Sequence, residues 1–272
     1  MKILISTDIE GVAGVFHPEQ TRPGNPEYER ARLLMTQEAN AAIAGAFDAG
    51  ATEVWVNDSH GSFRNLLAEP LDPRARAVQG KPRLLGMMAG LEQGVDAVCL
   101  LGYHSRARGQ GVLAHTINSF AFASVRLGEL ELGEAGLYGA LAGDHGVPVA
   151  MASGDDAFIE ENRPLFPGAV FVQTKQALGQ NAGVSLSPEA ARTAIREGVA
   201  RALRQLSAPR PLVIPGPVTV SLQTQTPALA DLFCLWPTLR RLDAVTLAFE
   251  AGSAADAVRM LNALSAMSAM LR

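Results

Sequence analysis

The chain has 272 residues, 48% of them hydrophobic and 18% charged, which is the composition of a folded globular protein and not of a disordered one. Its formal net charge of −4 offers no basic field for nucleic acid or an anionic membrane surface. The two cysteines, Cys99 and Cys234, lie inside apolar runs, which argues against a disulfide framework and for a reducing, cytoplasmic setting; no signal-peptide pattern opens the chain, and no apolar run has the ~20 residues of a membrane span.

Residues 2–7 (KILIST) read as a short buried strand. Asn25 and Pro26 supply a cap and a first-turn proline for a helix running to Asp48, and Gly50 is placed to end it. Residues 53–57 and 96–101 are a second and a third strand, with helix-like sequence over 84–93 between them. Residues 111–116 read as a further strand, and 124–132 as a strand or hairpin. A helix over 134–144, a strand over 147–152, a helix from about Asp155 and a strand over 167–174 follow.

Ser187, Pro188 and Glu189 open a long helix to Leu206. Residues 212–223, interrupted by Pro215 and Pro217, and 245–250 are strand-like. The last helix starts at Ala254, with Ser253 and Asp256 resembling a capping box and Met260, Leu264, Met267 and Leu271 on one stripe. This alternation predicts an α/β fold, three-layered, with a largely parallel sheet between helices. The Pro- and Gly-rich stretch 207–216 is the best boundary candidate. It divides a main α/β domain, 1–207, from a smaller C-terminal α+β segment, 208–272, which can also pack as part of one domain.

In open parallel sheets ligands bind off the carboxyl edge of the strands. The first strand finishes at Asp8 and Glu10, the second in NDSHG with His60, and the third in LGYH with His104. If the sheet is parallel, these groups converge although they are far apart in sequence. Two acids side by side are costly without a cation, because like charges raise each other's pKa. Two carboxylates and two imidazoles suit zinc, or manganese or cobalt, and a shared carboxylate can bridge two ions. Glu134, opening a helix, is the candidate for a further acid, and His115 is close enough in sequence to His104 to reach the same pocket without binding metal.

Ordinary explanations cover the other candidates. His17 and His145 belong to the surface, the methionines fill core, and SGDD (153–156) ends a strand and caps a helix, with Asp155 or Asp156 as a support to the site. No phosphate-loop or dinucleotide motif occurs. Arg106 or Arg108 is a candidate for an oxyanion or a peptide carboxylate, and Lys175 for a substrate contact.

SxDxEG at 6–11, VNDSH at 56–60, LGYHxRA at 101–107 and GExG at 133–136 resemble the D-aminopeptidase family, whose founding member is encoded with a bacterial dipeptide-transport system. ERARLLMTQEAN (29–40), SGDD and the TKQ block at 174–176 extend the likeness along the chain. The resemblance implies two zinc ions per subunit held by Asp8, Glu10, His60, His104 and Glu134, with Asp8 shared, and His115 as the catalytic histidine. It implies a metallo-exopeptidase that hydrolyses the first peptide bond of short peptides, preferably with a D-residue N-terminus, through a zinc-activated water. It also implies a homodecamer of stacked rings. The rival readings are a metal-dependent amidohydrolase acting on amino-acid amides or L-peptides, a non-catalytic peptide-binding component of uptake, and a ring protein whose metals only brace the fold.

Overall fold

A computed structural model describes all residues 1–272. Twelve strands and six helices alternate along the chain. The first half runs β1 (Lys2–Thr7), α1 (Pro26–Asp48), β2 (Glu53–Asp58), β3 (Arg76–Val78), β4 (Ala97–Leu101), β5 (Phe122–Leu127), β6 (Leu130–Glu131) and α2 (Glu134–Asp144). The second runs β7 (Val149–Asp155), α3 (Asp156–Asn162), β8 (Val170–Gly179), β9 (Ala182–Ser185), α4 (Pro188–Arg204), β10 (Val218–Thr224), α5 (Pro227–Phe233), β11 (Arg240–Arg241), β12 (Thr246–Ala251) and α6 (Ala254–Met267).

Seven strands form one sheet in the order β3-β2-β1-β4-β7-β8-β9, parallel throughout except for the β9 edge. Successive residues of its strands face opposite sides, so each strand feeds two cores. Ile3 and Ile5 of β1, with Val54 and Val56 of β2, pack toward α1 and α4. Leu4, Val98 and Leu100 pack on the other face against α2 and a second, antiparallel sheet. This second sheet has the order β11-β12-β10-β5-β6, with α5 and α6 in the same core. It takes two strands from residues 122–131 and three from 218–251, on both sides of residue 208. The helices sit on both faces of the parallel sheet, which is the three-layer α/β arrangement that the alternation predicts.

The helix starts behave as their sequences dictate. Asn25 Oδ1 accepts from Tyr28 N at 2.9 Å, Ser187 Oγ from Ala190 N at 3.2 Å and Ser253 Oγ from Asp256 N at 3.1 Å. Other expectations give way. Residues 84–93 make two short 3₁₀ turns (Gly86–Met88 and Leu91–Gln93) and no α-helix, because Gly86, Gly90 and Gly94 all take positive φ. Strand β10 starts only at Val218, after Pro215 and Pro217. The buried stripe of α6 is Ala257, Val258, Leu261 and Leu264; Met260 and Met267 are half-buried and Leu271 is exposed.

The order of the parallel strands positions the site. From β1 the chain moves outward to β2 and β3, then returns to the other side of β1 as β4. The crevice where this reversal occurs, at the carboxyl ends of β1 and β4, is where open α/β sheets bind ligands.

Candidate metal centre

Asp8 and Glu10 follow β1 directly. The chain there is tied to the end of β4, with Asp8 N donating to Leu101 O at 2.8 Å and Gly11 N to Gly102 O at 2.7 Å. Gly11 is required by this approach, since a Cβ at that position would stand 2.1 Å from Tyr103 O. Gly11→Ala is therefore expected to lower stability by about 1–3 kcal/mol and to displace Glu10; thermal unfolding of the purified variant checks the first effect, and its zinc content the second. From the far side Lys175 buries its ammonium beneath the same segment, donating to Glu10 O and, at 2.7 Å, to Val15 O. It touches the backbone of the site and does not line the cavity, so it is a brace and not the substrate contact expected of it.

His60 follows β2, its carbonyl held by Asn65 Nδ2 at 2.6 Å. Asn65 is itself fixed by the Asp58 carboxylate (N to Oδ2 at 2.5 Å, Nδ2 to Oδ1 at 2.7 Å) and by the Tyr28 hydroxyl at 2.8 Å. His104 follows β4, and Glu134 is the first residue of α2. His115 lies in the long loop from β4 to β5.

That loop corrects one expectation: residues 111–116 are not a strand. Their amides are satisfied one at a time, Val112 N by Asp155 Oδ2 at 2.7 Å, Leu113 N by Gln180 O at 2.8 Å and His115 N by Ser105 O at 3.2 Å. Leu113 and Ile117 take left-handed φ values of 54° and 58°. For a β-branched residue such as Ile117 this costs about 1–3 kcal/mol, and it aims the Ile117 amide at Glu134 Oε1, 2.6 Å away.

The five expected ligands and His115 come together. Asp8 lies between two imidazoles: its Oδ1 is 3.3 Å from His60 Nδ1, and its Oδ2 is 3.4 Å from His104 Nε2. Glu10 Oε2 joins the first at 3.0 Å from His60 Nδ1. Glu134 Oε1 joins the second, 3.5 Å from both His104 Nε2 and His115 Nε2. The His104 and His115 rings stack with centroids 4.1 Å apart. Asp8, Glu10, His104 and Glu134 are buried, and His60 and His115 are partly exposed.

Each imidazole has its far nitrogen against a backbone carbonyl: His60 Nε2 on Thr21 O at 2.8 Å, His104 Nδ1 on Ser105 O at 3.0 Å and His115 Nδ1 on Leu113 O at 2.9 Å. A carbonyl only accepts, so that nitrogen carries the proton. In a neutral ring the other nitrogen then turns a lone pair toward carboxylates. Lone pairs facing carboxylates are repulsive without positive charge between them. Glu10 Oε2 and His104 Nε2 are accordingly buried with no hydrogen-bond partner.

Proton affinities tell the same story. Burial opposes charge on His60 and His104, yet the carboxylates of Glu10 and Asp8 around the first, and of Glu134 and Asp8 around the second, hold both well above the usual imidazole range. Burial also opposes charge on Glu10, but His60 holds it well below the usual carboxylate range; His104 does the same, less strongly, for Glu134. Burial, aided by the Glu10 charge, raises Asp8. The nest needs positive charge, and a divalent ion meets that need with an N/O donor set suited to zinc. The residues present fit the metal.

The nest opens into a cavity of ≈ 540 Å³ lined also by Phe63, Lys81, Arg83, Met87, Tyr138 and Asn262. Lys81 and Arg83 carry no signal in the sequence beyond their charge. Arg106 is turned away, onto Glu161 at 3.0 Å, and Arg108 binds Gln223 at 2.7 Å, so neither lines the cavity. His17 and His145 are exposed, as expected. Asp155 caps α3 through Phe158 N at 2.7 Å and, with its other oxygen on Val112, supports the His115 loop.

The sequence profile of a peptidase family described as D-aminopeptidase matches residues 1–263. A D-aminopeptidase of Bacillus subtilis (strain 168) is 35% identical over 271 residues, which are 99% of this chain and 96% of the relative. Among solved structures, the "Zn-dependent D-aminopeptidase DppA from Bacillus subtilis, a self-compartmentalizing protease" superimposes with a TM-score of 0.95 at 32% identity, covering 99% of this chain and 98% of its own.

Proposed function

Because the chain belongs to the D-aminopeptidase family, we propose that it is a zinc-dependent aminopeptidase that removes the N-terminal residue of short peptides, with preference for a D-residue there. The observation that carries this reading is the trio of imidazoles, each pinned by a backbone carbonyl with its free nitrogen turned into a nest of three carboxylates. Asp8, Glu10 and His60 would hold one zinc ion in this reading, and Asp8, His104 and Glu134 a second. Manganese and cobalt are the other ions suited to these donors.

When bound, zinc supplies a Lewis acid for the scissile carbonyl and lowers the pKa of water. The chain's own groups do the rest. Asp8 fixes the two halves of the nest in one geometry. The amino terminus of the peptide enters beside this centre, which selects cleavage at the first bond. His115, partly exposed and protonated on Nδ1 by its bond to Leu113 O, is placed at the cavity edge as the general acid–base that hands a proton to the leaving amine.

The relative described as self-compartmentalizing supports a homo-oligomer, read here as a decamer of stacked rings. Cys99 and Cys234 are both free, which supports a reducing, cytoplasmic setting. The test is metal analysis after gentle purification, followed by kcat/KM on D-Ala-D-Ala, D-Ala-Gly and their L-counterparts. Bound zinc and a preference for D-peptides are expected. Absence of any divalent ion with no activation by added zinc overturns the reading, and equal or better turnover of the L-series overturns its chiral part.

A further inference from the structure

The cavity is lined by more cations than carboxylates. Asp8 and Glu134, both in the nest, are the only carboxylates that line it, whereas Lys81, Arg83 and Arg272 are its cations. Lys81 gives one proton to Gly61 O at 2.8 Å, which leaves two of the ammonium's three donors free. Arg83 donates to Val78 O at 3.0 Å, Asn57 Oδ1 at 3.1 Å and Asp58 O at 2.7 Å, all neutral oxygens, and keeps a buried Nε with no partner. Neither cation has a carboxylate within ion-pair distance.

The Phe63 ring stands against both, 4.0 Å from the Arg83 guanidinium carbon and 5.5 Å from Lys81 Nζ, and Phe63 is held at a left-handed φ of 59°. Burial, with repulsion from Arg64 and Arg83, lowers the Lys81 ammonium; burial brings Arg83 down to about 10. A half-buried Arg83 without a counter-ion is costly unless a ligand brings the anion, and the exposed Lys81 adds a second cation to receive it.

We propose that Lys81 and Arg83 form the subsite for the free carboxylate of the substrate. The ligand is then a short peptide with an unblocked C-terminus, its carboxylate held at Lys81 and Arg83. The inference rests on the aminopeptidase reading and deepens it. The cavity volume of ≈ 540 Å³ agrees, lying within the range of about 300–1,000 Å³ typical of small-ligand pockets. A carboxylate held there also fixes the peptide's direction, presenting its first peptide bond at the nest.

The experiment compares kcat/KM for D-Ala-D-Ala and for D-alanyl-D-alaninamide, which lacks the carboxylate, in the zinc-loaded protein, in Lys81→Gln and in Lys81→Arg. Lys81 is the residue to change, because Arg83 holds three oxygens of the surrounding loops. The unmodified protein is expected to prefer the free acid by about tenfold or more, as a charge-assisted hydrogen bond implies. Lys81→Gln should bring the ratio toward unity and Lys81→Arg should restore it. A ratio near unity in the unmodified protein, or an unchanged ratio in Lys81→Gln, overturns the proposal while the aminopeptidase reading stands. Failure to cleave either compound overturns both.

Discussion

Asp8→Ala is expected to empty both proposed zinc positions and to lower kcat/KM on the order of 10,000-fold, the scale on which removal of a group central to a catalytic constellation acts. The geometry singles Asp8 out. Glu10 makes its close contact with His60, and Glu134 with His104 and His115, but Asp8 sends one oxygen to each side. Its loss leaves two donors on the first side, and on the second only donors that no longer share an anchor with the first. Glu10→Ala, by contrast, should retain about one equivalent of metal.

The fold itself should tolerate the change. Without a cation the Asp8 carboxylate is held under protest, its pKa raised by burial and by Glu10. Elemental analysis and the zinc-dependent rise in melting temperature provide the check: ligand binding stabilises by mass action, so added zinc should raise the melting temperature of the unmodified protein and leave that of Asp8→Ala unmoved. Full zinc content in the variant would remove Asp8 from the centre.

His115→Ala should show the opposite split. Zinc content should stay at that of the unmodified protein while kcat falls about 100- to 10,000-fold, the usual contribution of a positioned general acid–base. The five expected ligands form two sets of three without His115, and its ring, stacked on the buried His104, is partly exposed. The competing possibility is built into the same atoms, because His104, His115 and Glu134 also bring their donors within 4.8 Å of one another. Loss of one zinc equivalent in His115→Ala would make this residue a ligand, and near-normal turnover would remove it from the chemistry. Zinc titration and single-turnover kinetics of one preparation distinguish the three outcomes.

The nest was legible in the sequence for one reason: its residues follow strands of a parallel sheet, and a parallel sheet collects the ends of its strands on one edge. The pattern of apolar runs closed by Asp8, Glu10, His60 and His104 required only local reading. Glu134 was legible more faintly, as an acid at a helix start, where the helix dipole alone would favour one.

What stayed hidden depends on contacts between distant segments. Residues 111–116 open on Val112 and Leu113 as a strand can, but their partners are a side chain of β7–α3 and isolated carbonyls, and Leu113 has the wrong φ for a strand. The second sheet pairs β5 with β10 across about ninety residues, and no local period announces that. The cationic wall was hidden for the same reason: Lys81 and Arg83 sit in a loop of unremarkable composition, and only the folding of that loop over Phe63 beside the nest gives them meaning.

Glu134 comes from α2, which is packed in the core shared with the antiparallel sheet, whereas Asp8, Glu10, His60 and His104 all come from the edge of the parallel one. A zinc ion shared by these residues would act as a cross-link between the two halves of the molecule, fastening chain segments that otherwise meet only through apolar packing and a few polar bonds. A chelator would then do more than silence the enzyme: it would also remove that fastening and lower the temperature at which the molecule unfolds.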